Sequence, residues 1–187
     1  MKNRIITICA VAVAALAVVA SADANAQTAP FVNDAFTVSL PSAYAEFTKQ
    51  VQTTKAPEGE IETTNWISRA PTGEAVIVTS SKLPGTILDP QKLIASTRAS
   101  LLKSLNATLE SEEPRPGELP STRLLFRSDA AWFRARFTVD HDRLYQLLYV
   151  GRSEEQRSAP AVAAMFDSFR LTASTDAQAG AGSAGER

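Results

Sequence analysis

The sequence predicts one α+β domain in which helices flank a largely antiparallel β-sheet. Eight short segments alternate apolar with polar residues or are rich in β-branched residues, which is typical of strands. Clusters of Pro, Gly and Asp separate these segments at hairpin-like spacings. Only residues 89–106 and 158–169 show the periodicity of amphipathic helices. The predicted order is ββββ-α-ββββ-α, and strands segregated from helices in this way characterise α+β domains.

The first half of the chain contributes four predicted strands. Phe36, Val38 and Leu40 alternate with polar residues, as in a half-buried strand. The second strand has only Phe47 and Val51 as apolar members, whereas the fourth contains a β-branched run short enough for a buried strand. The four segments are Phe36–Leu40, Phe47–Thr54, Ile61–Ala70 and Glu74–Leu83.

The first predicted helix begins at Asp89 and Pro90. Aspartate is a favoured N-cap residue, and proline is preorganised for the first helical position. Residues of one helical face then recur as far as about Asn106. They are Leu93, Ile94, Thr97, Leu101 and Leu105.

Four further strands and a second helix follow. Asp140–Asp142 is the hairpin turn between the last two strands, because aspartate favours turns. Ser158 is the candidate N-cap of the second helix, with Pro160 in its first turn. Its apolar face consists of Val162, Met165, Phe166 and Phe169. The four strands are Ala107–Glu113, Thr122–Ser128, Trp132–Val139 and Arg143–Gly151.

The first 26 residues have the pattern of a secretory signal peptide. Lys2 and Arg4 precede the apolar run Ile5–Ala20, and Ala24–Ala26 is an A-x-A cleavage site. The alternative is a membrane anchor, but a spanning helix needs roughly 20 consecutive apolar residues, and this run is shorter. We therefore expect export with cleavage after Ala26.

The remaining chain divides into three parts by composition. Residues 27–34 are interpreted as a short leader, and residues 35–172 as the α+β domain. Residues 173–187 contain no large apolar side chain, so they cannot bury a core and are expected to be a disordered tail.

Cleavage would also remove the only cysteine, Cys9, and leave 17 basic and 19 acidic side chains. A net charge of −2 differs from the basic excess usual in nucleic-acid-binding proteins, so no nucleic acid is expected as a partner. Cys9 lies too early to be a lipid-modified cysteine. We expect a periplasmic or secreted protein with no disulfide, no cofactor and no stable membrane anchor. The sequence leaves its oligomeric state open.

Two motifs with catalytic or metal-binding associations are set aside. His141 lies between Asp140 and Asp142, but a tight turn points successive side chains apart, and no second histidine could complete a zinc site. Ser100–Lys103 matches S-x-x-K but falls in mid-helix without its partner motifs. We expect no catalytic residues and no metal. An acidic group is interpreted as the solvated edge of a strand and consists of Glu110, Glu112 and Glu113.

The hairpin formed by the last two strands carries the candidate ligand-binding residues. If its turn leaves Val139 opposite Leu144, one face is core and the other carries arginines among aromatic residues. Arg134 then lies across from Tyr149, in a geometry that allows cation–π contact. The arginines could hold a carboxylate or an anionic polymer; alternatively, their stems cover the sheet while their heads reach water. The candidates are Trp132, Arg134, Arg136, Tyr145 and Tyr149.

Three stretches, Phe36–Pro41, Arg143–Gly151 and Phe166–Leu171, resemble the PsbP-like superfamily, which includes many exported bacterial proteins. The resemblance implies an antiparallel sheet between helices. Because members with known roles bind or stabilise other proteins, it also implies a non-catalytic domain that binds a protein partner, such as another envelope protein, or an envelope component. The matching positions belong to the core and the hairpin, so no functional residue is implied. The alternative function is an envelope enzyme or a small-anion-binding protein that uses Arg134 and Arg136.

Overall fold

The computed structural model describes residues 28–44 and 46–172. Its helices are α1 (Pro90–Ser104), α2 (Glu154–Ser158) and α3 (Pro160–Ser168), and Ser42–Tyr44 forms a 3-10 turn. Its strands are β1 (Thr28–Val32), β2 (Phe36–Pro41), β3 (Thr48–Ala56), β4 (Gly59–Arg69), β5 (Ala75–Lys82), β6 (Thr108–Arg115), β7 (Ser121–Arg127), β8 (Trp132–Asp140), β9 (Arg143–Gly151) and β10 (Arg170–Leu171).

The strands of these described residues form two sheets, and every pair of neighbouring strands is antiparallel. The larger sheet has the order β3-β4-β5-β9-β8-β7-β6, and the smaller has the order β1-β2-β10. The predicted α+β class is therefore confirmed. Within residues 28–44 and 46–172, no helix is long and apolar enough to cross a membrane.

Helix α1 covers one face of the large sheet. The carboxylate of Asp89 accepts a hydrogen bond from the backbone N–H of Lys92 at 2.9 Å, so the predicted N-cap forms. Ile94 is buried from the helix side, where it joins the stacked rings of Phe126 and Phe133, whose centroids lie 4.8 Å apart. This layer is made of aliphatic side chains and phenylalanines.

The small sheet and α3 cover the opposite face. Phe36 of β2 is fully buried, and its ring meets Trp66 of β4 edge-on, with the centroids 5.1 Å apart. Phe169, at the end of α3, lies 5.6 Å from the same ring. This layer also contains Tyr145 and Tyr149. The face of the β8–β9 hairpin that was expected to bind a ligand therefore packs against α3 and the small sheet in a second core.

The β8–β9 hairpin has the register expected from the sequence. His141 and Asp142 form a two-residue turn, in which His141 has a φ of 50°. Val139 pairs with Leu144, and Arg134 pairs with Tyr149. Because side chains alternate between faces, this register places both arginines of β8 on the α3 side of the sheet.

The edges of the predicted domain need correction. The segment 27–34, interpreted as a leader, contains β1, which pairs with β2 from Thr28 to Val32. Arg170 and Leu171, expected only to leave the last helix, pair with the other side of β2. The two short strands flank β2 and satisfy backbone groups on its two sides. The predicted signal peptide, 1–26, and tail, 173–187, lie outside the described residues.

The prediction for the last helix was also wrong at its start. Ser158 ends α2, and α3 begins after Ala159, which makes no side-chain capping hydrogen bond. The serine that caps is Ser153, whose hydroxyl accepts from the N–H of Gln156 at 3.3 Å. The apolar face of α3 matches the prediction, since its predicted members are buried.

Candidate binding surface

The five predicted ligand-binding residues do not share one accessible surface. Tyr145 and Tyr149 are 3% and 1% exposed and belong to the core beneath α3 and the small sheet. Burial raises the pKa of both phenols, that of Tyr149 to about 12. They therefore act as core residues rather than as ligand contacts in this conformation.

Arg134 and Arg136 are held by α3. The guanidinium of Arg134 lies 5.2 Å from the centre of the Phe166 ring rather than on Tyr149, and that of Arg136 lies 5.6 Å from Phe169. Arg136 also donates to the backbone carbonyls of Phe166 and Phe169 at 3.3 and 3.1 Å, at the negative end of the helix. This arrangement favours the structural interpretation of these two arginines.

Three more arginines reach the same place. Arg123 of β7 donates to Asp167 of α3, and Arg115 of β6 lies 3.9 Å from the same carboxylate. Arg170 donates to the carbonyl of Phe169 at 2.8 Å. We call the five residues the arginine cluster: Arg115, Arg123, Arg134, Arg136 and Arg170.

Positive charge in the arginine cluster exceeds the negative charge beside it. Burial and, after it, the positive charges of the neighbouring arginines together lower the pKa of Arg136 to about 10, while Asp167 opposes the shift. The hydrogen bond from Arg123 in turn lowers the pKa of Asp167. Glu113 also opposes the lowering of the pKa of Arg134, but two carboxylates do not neutralise five arginines, and the side chain of Asp167 is 58% exposed.

Trp132 belongs to a second, separate arrangement. Arg127 and Arg157 both lie over its ring, with guanidinium carbons 5.7 and 4.8 Å from the ring centre. Arg157 is only 3% exposed and donates to Glu110, which also pairs with Arg127 at 3.1 Å. Glu110 lies at a β-bulge where the β6–β7 register shifts. The acidic edge is thus partly ion-paired rather than simply solvated.

Sequence reasoning missed Arg157 and Arg123 as members of these groups. Arg157 lies on α2, which was not predicted, although Ser153 and Gln156 have the spacing of a capping box. Arg123 faces α3 only because β7 pairs with β8 in a register that sets it opposite Arg136. The capping-box spacing could have revealed α2, whereas no local pattern reveals the β7–β8 pairing.

The other chemical candidates lie elsewhere. His141 is exposed in its turn, beside Asp140, and Ser100 lies inside α1. No group of three or more potential metal-ligating His, Cys, Asp or Glu residues is found within residues 28–44 and 46–172. A polar pocket of about 320 Å³ lies between Glu60, Glu62 and neighbouring loop residues and is lined by neither Arg134 nor Arg136.

Comparison with solved structures identifies the architecture. The solution structure of cyanobacterial PsbP (CyanoP) from Synechocystis sp. PCC 6803 matches with a TM-score of 0.54. The match covers 82% of this chain and 98% of the cyanobacterial chain, at 13% sequence identity.

The chain has a PsbP-like fold. The resemblance inferred from the strand and helix motifs is confirmed at the level of the fold, and identity this low shows the fold alone. Neither the family models nor the curated proteins that were searched contain a match. The function of this PsbP-like domain must therefore be argued from its own residues.

Proposed function

We propose that the chain is an exported, non-catalytic domain that binds an acidic protein partner through the arginine cluster. The observation that carries the proposal is the charge imbalance around Asp167, whose carboxylate lies among guanidinium groups on β6, β7 and β8. An acidic segment would supply the missing negative charge and accept the forked hydrogen bonds that guanidinium groups donate. The non-catalytic part rests on the PsbP-like resemblance.

The members of the arginine cluster would contribute in different ways. Arg170 is exposed, and the side chain of Arg115 is 39% exposed, so these two can contact a partner directly. Arg123 is less accessible, and Arg134 and Arg136 are held by α3. The less accessible arginines still raise the local positive potential, which attracts an acidic partner and increases its association rate.

A small anion is the second candidate ligand, and one observation favours it. The Nε atoms of Arg115, Arg123 and Arg134 are buried and have no hydrogen-bond partner within the described part of the chain. Unsatisfied buried donors are costly, and a phosphate or carboxylate could satisfy them. Of the two arginines predicted from the sequence, this alternative retains Arg134, and it replaces the protein partner with a small ligand.

Calorimetric titration of the purified exported chain with a polyglutamate peptide tests the proposal. We expect binding that weakens roughly tenfold when salt rises from about 0.05 to 0.3 M, because exposed charges are screened. Arg115→Gln with Arg170→Gln should abolish it. Arg69→Gln is the matched control. Arg69 is exposed at the end of β4, which lies toward the opposite edge of the large sheet from β6, β7 and β8.

Three outcomes would contradict the proposed partner. The first is no peptide binding by the unmodified chain. The second is equal weakening by Arg69→Gln, which would mean that only total charge matters. The third is stoichiometric binding of inorganic phosphate that displaces the peptide, which would favour the small-anion alternative. Hydrolase turnover that is lost on Ser100→Ala would overturn the non-catalytic assignment.

Export is tested separately by expressing the full chain with its own first 26 residues in a bacterial host. We expect the product in the periplasmic or extracellular fraction, with Gln27 as its first residue. Retention of residues 1–26 on a cytoplasmic product would contradict export without affecting the binding test.

A further inference from the structure

Strand β3 is an open edge of the large sheet. Among the described residues it pairs only with β4, and eight of its nine residues are exposed. Val51, one of the two apolar members of the predicted strand, is 58% exposed. A long exposed edge presents unpaired backbone groups to another chain.

The hairpin geometry fixes which backbone groups of β3 face outward. Ala56 pairs with Gly59 across a two-residue turn, and such a pair exchanges both of its hydrogen bonds. The register is uninterrupted from there to the pair of Thr48 with Ile67, so hydrogen-bonded and non-hydrogen-bonded pairs alternate. The residues whose N–H and C=O groups point away from β4 are therefore Lys49, Val51, Thr53 and Lys55.

We propose that two copies of the chain associate through antiparallel pairing of β3 with β3, about a two-fold axis at Val51. Val51 then faces Val51 of the second copy on one face of a continuous sheet, and this contact covers the exposed side chain. Lys49 pairs with Thr53, so the outward groups of both residues and of Val51 form hydrogen-bonded pairs. The remaining pairs in the strand are Gln50 with Gln52 and Thr48 with Thr54.

Charge favours this register over one of its two neighbours. An axis at Gln52 would set Lys49 directly opposite Lys55 of the second copy, and like charges opposite one another are unfavourable. With the axis at Val51, no charged residue of β3 opposes a like charge. The axis at Val51 therefore avoids this repulsion and also sets the two exposed valines opposite each other, independently of the arginine cluster.

The dimer should be weak. A single pair of edge strands buries less than the roughly 1,000 Å² expected of a stable interface. We expect a dissociation constant on the order of 100 µM, which corresponds to a transient dimer.

Sedimentation equilibrium of the purified exported chain, up to roughly 500 µM, tests the proposal at concentrations above the expected dissociation constant. Val51→Lys sets two ammonium groups opposite each other and should weaken dimerisation at least about tenfold. Thr53→Pro removes an outward N–H and should have a similar effect. The matched control is Gln52→Lys, which adds the same charge on the other face of the strand, opposite an uncharged glutamine. It should change the constant by less than about threefold.

Amide hydrogen exchange gives an independent measurement. Exchange at Val51 and Thr53 should slow as the concentration of the unmodified chain rises, while exchange at Gln50 and Gln52, already bonded to β4, should stay constant. A chain that remains monomeric at the highest concentration overturns the proposal. A dimer that survives both Val51→Lys and Thr53→Pro overturns it equally, because another surface must then form the contact.

Discussion

The large sheet ends in β3 on one side and β6 on the other, and the two edges differ in the features that control strand pairing. β6 contains Pro114, which cannot donate a backbone hydrogen bond, and its register shifts between Leu109 and Ser111. β3 has neither a proline nor a bulge along its length. Prolines and bulges discourage pairing with another chain. The comparison indicates that the β6 edge is closed to pairing with another chain, whereas the β3 edge is open to it.

The edges also differ in what their side chains do. At β6, the bulge sets Glu110 toward the buried Arg157, while Arg115 extends the arginine cluster. At β3, the side chains are exposed, and Lys49 lies only loosely over the Trp66 ring, at 6.0 Å. The closed edge thus contributes to stability and charge, whereas the open edge contributes backbone groups. Four measurements test this difference between the edges.

The largest effect is expected at the bulge of β6. Glu110→Ala leaves the guanidinium of Arg157, 3% exposed, without its main counter-charge and should lower the free energy of unfolding by about 3 kcal/mol. Urea denaturation measures it. The double variant Glu110→Ala with Arg157→Met should recover part of the loss, because it removes the unpaired buried charge. No recovery would show that the bulge itself, rather than the ion pair, requires Glu110.

The second effect tests the two sides of β3. Gln52→Pro removes an N–H that is bonded to β4 and should cost about 2 kcal/mol of unfolding free energy, since the β4 carbonyl loses its donor. Thr53→Pro removes an outward N–H and should cost less than about 1 kcal/mol. Thermal denaturation at low protein concentration compares them. Equal losses of stability would contradict the alternation of inward and outward backbone groups along β3.

A third and smaller effect is expected beside β6. Asp167→Asn removes the carboxylate that partly neutralises the arginine cluster. Because the side chain is exposed, the loss of stability should stay under about 1 kcal/mol. Polyglutamate binding should nevertheless become tighter, which calorimetry measures. Weaker binding would mean that Asp167 orients Arg123 for the partner instead of competing with it.

The smallest effect is the pH dependence of the same contact. The pKa of Asp167 is lowered in the folded protein, so its contribution to stability is present above the unfolded pKa and disappears as pH falls through the folded value. The stability difference between the unmodified chain and Asp167→Asn should therefore vanish at low pH. Denaturation at a series of pH values tests this, and a difference that persists in acid would assign the effect to something other than ionisation.

The sequence predicted what depends on local pattern. Alternation located β8 and β9, and the structure has the register that follows if the turn leaves Val139 opposite Leu144. It could not locate β10, since two residues carry no period and Arg170 becomes a strand residue only by pairing with β2. For the same reason the arginines of β8 were found, but their engagement by α3 was not. That contact joins residues about 30 positions apart in sequence.

The position of Arg136 has a consequence for how part of the protein unfolds. This arginine fixes the end of α3 to β8, and the residues that follow α3 pair directly with β2. The small sheet is therefore tied to the large one through a segment anchored on both sheets. The second core should unfold cooperatively, as one unit with the segment, rather than by fraying from the carboxyl-terminal strand.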